Sequence, residues 1–346
     1  MDITILSDLE ILTQKIKTSD YDSFSQKKFK YSSGYYYELQ EGTLKYGVLI
    51  GDGSYGCVNS IGKYACKKFH YDEEYADEEL KYNSIISQNN LKGIIPISEI
   101  DNKKNAIMMP LVDGNVSDLI QIFSYKLNDK NIDLINNVIF DIMKVIVHIL
   151  NEASKKGLYY TDLKLENLLY LITGKNKFRI IVGDIGGFSY YDKNNTKFRG
   201  YGDEMATYPP PQYDTTMDLD KGVIFNDKFR NCEDYCLMTN AIYLNKTVVW
   251  SLGVCFIDIM KGNSINFFLW RNIYKLGKDK IDEEVNIILN QIECVYLEND
   301  PNIINKIVID NIIYLIRKML NVNIHDRILL DEIDCIFSLN NSYIVK

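Results

Sequence analysis

The chain has little of what several protein classes need. Its 6 prolines and 20 glycines among 346 residues are far too few for a collagen-like repeat, and near-average hydrophobic and charged content argues against wholesale disorder or a coiled coil. Histidine is scarce: His70, His148 and His325 are widely dispersed. The seven cysteines, at 57, 66, 232, 236, 255, 294 and 335, are odd in number and lack the dense spacing of a disulfide framework. Cys232 and Cys236 have no second CxxC-like partner pair, so a structural zinc site is not expected. Positive charge is in deficit, with 39 Lys and Arg against 47 Asp and Glu and a net charge of −8. That balance disfavours a protein whose main task is to coat phosphate backbones.

No export signal is visible either. The chain opens MDITILSDLE, with Asp2, Asp8 and Glu10 where a secretory signal would carry positive charge. The most apolar run, Leu134 to Leu150, is interrupted by Asn136, Asn137, Asp141, Lys144 and His148, a polar stripe that predicts a buried helix and not a membrane span. The expected setting is cytoplasmic or another reducing intracellular compartment, without nucleic acid or membrane as partner. At roughly 150 residues per domain, the length allows two domains or one two-lobed unit.

Along the chain, residues 1–44 are polar and mixed and are taken as an extension. From Leu44 to Phe69 short apolar runs alternate with glycines, and Gly62-Lys63 has the character of a tight hairpin turn. Tyr71 to Ser87 predicts an amphipathic helix, with strand candidates at Ile94–Ile97 and Ala106–Met109. Beyond Pro110 the helical patterns are long: Asn131 to Ala153, Val248 to Met260, Asp282 to Leu297 and Ile303 to Leu320. A small β-rich part, 45–109, is thus expected before a larger helical one, 110–346, with a segment at about 213–246 that resists assignment.

The segment GDGSYGCV, Gly51 to Val58, matches GxGxxGxV. Glycines there would let backbone amides approach phosphate oxygens, although an ordinary Gly-rich hairpin reads the same way. A dinucleotide site is the other possibility, with Asp72 near the position of a ribose-binding acid, but it needs a helix opening at the last glycine, where this sequence reads strand, turn, strand. In the second strand Tyr64-Ala65-Cys66-Lys67 resembles the VAIK segment of protein kinases, which would make Lys67 a phosphate ligand. Glu79, with Leu80 behind it, is the preferred carboxylate to orient that lysine, and Glu78 is the competitor. The strongest segment is YTDLKLENLLY, Tyr160 to Tyr170, followed by Asp184-Ile185-Gly186 after the apolar run Ile180 to Val182.

In this order the motifs resemble those of eukaryotic-type protein kinases over about Tyr46 to Ile336. Tyr208 to Gln212 looks like the end of an activation segment, VVWSLGV from Val248 like the central helix motif, and Asn323 to Arg327 like the late DPxxR motif. The sequence bias and the long insertion further resemble kinase-like proteins of giant DNA viruses, which would imply a host cell or virion setting. The resemblance implies an α+β, two-lobed kinase fold, a β-rich N lobe and a mainly helical C lobe, with ATP and Mg2+ as cofactors. Gly51, Asp52, Gly53, Ser54, Tyr55, Gly56, Val58, Ala65, Lys67, Met109 and Leu111 are the implied ATP-binding residues. Asp162 would accept or orient the proton of the attacking hydroxyl and Lys164 would steady the transferring phosphoryl group. Asn167 and Asp184 would hold the metal. Lys164 looks like the serine/threonine class, so the expected partner is a protein substrate with a Ser or Thr hydroxyl.

Five positions depart from the family pattern, the first being Tyr160, which in place of a histidine keeps an aromatic body for packing. Thr161 stands where many kinases carry an arginine that binds an activation-segment phosphate, Ile185 replaces a phenylalanine, Gln212 a glutamate and Val248 an aspartate that fixes catalytic-loop amides. Thr247, Asn245 or water is expected to replace that aspartate, and another acid to pair with Arg327. Ser189, Tyr190, Tyr191, Thr196, Tyr201 and Thr207 are hydroxyls open to phosphorylation. These departures motivate an alternative, a pseudokinase acting as an ATP-binding or interaction scaffold; a third reading, a small-molecule phosphotransferase on a related fold, has the Pro210-Pro211-Gln212 segment and the VVWSLGV motif against it.

Overall fold

The computed structural model describes residues 1–4, 36–38, 44–46, 48–52, 56–69, 73–101, 106–124, 132–191, 208, 210–211, 241–262, 278–298 and 303–339. Gly53, Ser54, Tyr55, Thr196, Tyr201, Thr207, Gln212, Cys232, Cys236 and most of the 213–246 segment lie outside the described residues. Within them the chain is mixed α and β, with antiparallel sheets and seven α-helices. It divides into two compact units: Asp2–Gly114 with Leu169–Gly186, and Asn115–Leu168 with Gly187–Lys346.

The first unit is built on a five-stranded sheet in the order β4-β5-β6-β8-β7, where β4 is Val48–Asp52, β5 Gly56–Ile61, β6 Tyr64–Phe69, β7 Glu99–Asp101 and β8 Ala106–Pro110. Its ladders are antiparallel, as is the separate pair of β2, Tyr36–Glu38, with β3, Leu44–Tyr46. The β5–β6 connection is the two-residue turn Gly62-Lys63; Gly62 has φ +60°, the left-handed region a tight hairpin turn requires. Because β5 follows Gly56 where a dinucleotide fold would start a helix, the dinucleotide reading fails on topology. Helix α1, Glu73–Gln88, follows β6.

Only Ile94 of the expected Ile94–Ile97 strand forms a bridge, to Val182. Pro96 has no N–H to donate to a ladder, which shortens the pairing. The short contact still matters: Ile95 N donates to Val182 O at 2.9 Å and Val182 N to Gly93 O at 2.7 Å. These bonds pin the end of β12, Lys177–Val182, two residues before Asp184. Further along, β12 pairs with β1, Asp2–Thr4, which sets Ile3 opposite Phe178 and lies across β12 from β11. Ile3 and Phe178 are both buried, and Arg179 Nε donates to Asp2 Oδ1 at 2.9 Å. The first residues of the expected extension are therefore part of a sheet, completed by β11, Leu168–Gly174, and the short β9, Gly114–Asn115.

The second unit is helical: α2 Val116–Ser124, α3 Ile132–Ser154, α4 Ala241–Lys261, α5 Lys278–Glu298, α6 Ile303–Met319 and α7 Leu330–Leu339. Four of these fall where apolar periodicity predicts them. α4 is long and apolar enough to cross a membrane, but Tyr243, Leu244 and every residue from Thr247 to Met260 are buried, which marks it as the core helix of this unit. Phe140 of α3 and Phe256 of α4 meet Phe337 of α7, with ring centroids 4.9 and 6.2 Å apart. The unit's small ladder pairs β10, Leu158–Tyr160, with β13, Phe188–Tyr190.

Candidate functional site

In the first unit the hairpin brings Lys67 to the middle of β6, between Val58 on β5 and Ile107 on β8. Strand alternation and the surrounding ladder leave the Lys67 side chain only 11% exposed. A buried ammonium needs partners, and it has two. Lys67 Nζ donates to Glu79 Oε1 from α1 and, at 2.7 Å, to Asp184 Oδ1. Of the two acids weighed in the sequence, Glu79 is the lysine's partner, and it is 3% exposed. Burial works against the Lys67 ammonium, but Asp184 and Glu79 outweigh it and hold its pKa above the ordinary lysine value. Burial pushes Glu79 up to about 6; Lys67 draws it down and Asp184 adds to the rise.

Asp184 has φ +44°, a left-handed conformation uncommon outside glycine. Such a residue persists where the surroundings over-determine it, and these positions concentrate at functional sites. Here β12 is held on both sides before Asp184, and Ile185, which follows it, is fully buried.

The two described loop glycines differ. A Cβ on Gly56 would sit 2.4 Å from the Lys68 carbonyl oxygen, so β6 itself demands glycine there. A Cβ on Gly51 would meet Val58 no closer than 3.7 Å, an ordinary contact. Ala65 pairs with Met109 across β6–β8, and both are buried. Leu111 N donates to Lys63 O at 3.0 Å, so a ligand at Leu111 would meet its side chain or carbonyl and not its amide. Asp113, which the sequence reading passed over, latches the following strand: its N donates to Tyr170 O at 3.0 Å and its Oδ2 accepts from Ile172 N at 2.7 Å. The Asp113-Gly114 dipeptide was the available turn signal.

In the second unit Asp162, Lys164 and Asn167 come together. Asn167 Nδ2 donates to both the carbonyl oxygen and Oδ2 of Asp162, at 2.9 and 3.0 Å, while Lys164 Nζ donates to the same Oδ2 at 3.0 Å. The loop is set by burial of Leu163 and Leu165, by the short 3-10 turn Leu165–Asn167, and by the Cys255 thiol of α4, which donates to Leu163 O at 3.8 Å. Burial, with the nearby Asp258, raises the Cys255 pKa well above its ordinary value, so it stays a thiol.

Asn245, one of the residues expected to stand in for an aspartate at Val248, is engaged elsewhere. Asn245 Oδ1 accepts from Leu330 N at 3.0 Å, at the start of α7. Two loop amides find another acceptor: Thr161 N and Asp162 N donate to Gly187 O, at 2.9 and 3.4 Å. Arg327, 2% exposed, uses main-chain carbonyls as acceptors: Nε and Nη2 donate to Asn321 O at 3.0 and 2.9 Å and Nη1 to Lys246 O at 3.0 Å, with the guanidinium 4.9 Å from the Trp250 ring centroid. Tyr208 is anchored on α4, where Ser251 Oγ donates to its carbonyl at 2.9 Å and its hydroxyl donates to Asp258 Oδ2 at 3.3 Å. Ser189, expected as an accessible hydroxyl, is 2% exposed, because β13 turns it into the unit's interior; Tyr190 and Tyr191 are half-buried.

No model of a known protein family matches this chain, and no curated protein matches it.

Proposed function

We propose that this chain is a protein kinase of the two-lobed fold that transfers the γ-phosphate of ATP to serine or threonine hydroxyls of protein substrates with magnesium. The observation that carries the reading is the Lys67–Glu79–Asp184 cluster. A buried ammonium is held by one buried and one half-exposed carboxylate, the latter on a left-handed residue. Phosphoryl transfer needs positioning and charge neutralisation more than covalent chemistry, and an oriented lysine with an adjacent acid supplies both at a phosphate chain.

Each unit by itself holds oxygen donors of the kind magnesium takes. In the first, Asp184 offers a carboxylate 38% exposed; in the second, Asn167, whose amide nitrogen donates to Asp162, brings an amide oxygen. These are hard oxygen ligands, and magnesium typically takes one or two from protein and the rest from phosphate and water. When bound, magnesium supplies charge neutralisation at the phosphates. Asp162, oriented by Asn167, takes or orients the proton of the attacking hydroxyl, and Lys164 steadies the transferred group.

A nucleotide-binding scaffold is the second reading, favoured by Val248, fully buried and apolar where the resemblance implies an aspartate. One assay separates them: labelled ATP, magnesium and generic serine/threonine substrates, with Asp162→Asn beside the wild type. Loss of the base is expected to lower incorporation at least about a hundredfold. Incorporation unchanged by the substitution removes the kinase reading. No incorporation, together with a Mg-ATP thermal shift that Lys67→Met abolishes, establishes the scaffold.

A further inference from the structure

Thr161 and Ser189 form a buried hydroxyl pair that the chemistry above does not use. Thr161 Oγ1 lies 3.2 Å from Ser189 Oγ and donates to Gly187 O at 3.2 Å. Both residues are buried, at 6% and 2% exposure. The Gly187 carbonyl is thus a hub for three donors: the amides of Thr161 and Asp162 and the Thr161 hydroxyl. Around it, Tyr160 packs edge-on against Phe188 with centroids 4.8 Å apart, and a Cβ on Gly187 would come within 2.9 Å of the Tyr160 ring.

We infer that Thr161 is a positioning residue: through Ser189 and Gly187 it fixes the backbone of Asp162 against β13. A hydroxyl is suited to this role. It can donate to the Gly187 carbonyl while its oxygen accepts from Ser189, so the network needs no charge. A long cation here would itself require a partner in a site that is 6% exposed. Two strands joined by the Leu158–Tyr190, Tyr159–Ser189 and Tyr160–Phe188 pairs carry the lock. Its consequence is that the Asp162 loop is set by the fold itself.

The inference about catalysis rests on the kinase reading; the inference about the loop does not. The test compares wild type with Thr161→Val, Thr161→Ser, Ser189→Ala and the Thr161→Val/Ser189→Ala double variant. One hydrogen bond of about 1 kcal/mol is a factor of about five to ten. Thr161→Val is expected to lower kcat by about that factor with KM for ATP unchanged, Thr161→Ser to restore it, and the double variant to lose no more than the worse single one. Hydrogen exchange supplies the second readout. Protection of the Thr161 and Asp162 amides should fall several-fold in Thr161→Val and return in Thr161→Ser, whether or not the wild type transfers phosphate. An inactive wild type with these exchange changes sinks the kinase reading and keeps the lock. Unchanged exchange and kcat in Thr161→Val, additive losses in the double variant, or failure of Thr161→Ser to restore them overturns the lock.

Discussion

At the scale of single residues, the three-way contact of Lys67, Glu79 and Asp184 sets a testable pH dependence. Glu79 is raised to about 6 from its ordinary 4.5, so the native state binds that proton more tightly than the unfolded chain. The contribution is full below the ordinary value and is lost as pH rises through about 6, by about 2 kcal/mol in all. Denaturation of wild type and Glu79→Gln at pH 3.5 and pH 7 should show the wild type losing about this amount relative to the variant across the window. Parallel profiles would remove the assignment. Glycine positions separate in the same way. Gly56→Ala meets a backbone carbonyl and should cost at least about 2 kcal/mol of stability. Gly51→Ala should stay within about 1 kcal/mol of wild type while raising KM for ATP several-fold. Equal stability losses would mean that the first glycine serves the fold and not a phosphate.

At the scale of elements, β1 is the least expected piece. Three residues at the start of the chain supply a buried Ile3 opposite Phe178 and an ion pair from Asp2 to Arg179. The ion pair is half-exposed, so its contribution is small; the apolar contact dominates. Ile3→Asp buries a charge in place of an isoleucine and should cost about 3 kcal/mol, read as a lower Tm. If the strand also steadies β12 and hence Asp184, the thermal shift with Mg-ATP shrinks in this variant. A neutral Ile3→Asp would show that β1 contributes nothing to the sheet.

For the molecule as a whole, the division into units does not follow the order of the chain. The first unit is completed by Leu169–Gly186, so Asp184 and β12 come back to a sheet begun far upstream. A fragment of residues 1–114 lacks β11 and β12 and leaves β1 and the Gly93–Ile95 bridge without partners. It should therefore fail to unfold cooperatively, whereas the full chain does. A fragment with a cooperative transition and dispersed amide resonances would contradict that division.

Much of this was legible in the linear pattern. Apolar period placed three long helices and α1 within a few residues of their bounds and found the core of α4 while missing its first seven residues, and Gly62-Lys63 marked the hairpin, because these signals are local. α2 and α7 went unassigned, being short enough for periodicity to say little. The motif order grouped Lys67 with Glu79 and Asp162 with Asn167, since residue type and spacing carry that chemistry. Sequence could not say that Ser189 is buried, that Asn245 serves α7, that Arg327 uses carbonyls as acceptors, or that Gly187 gathers the amides of Thr161 and Asp162. Each depends on which strand or helix comes to lie beside which, and hydrogen-bond partners distant in the chain are decided only when the backbone brings them within about 3 Å. Sequence by itself determined which residues have the chemistry; tertiary structure decided which of them hold one another in place.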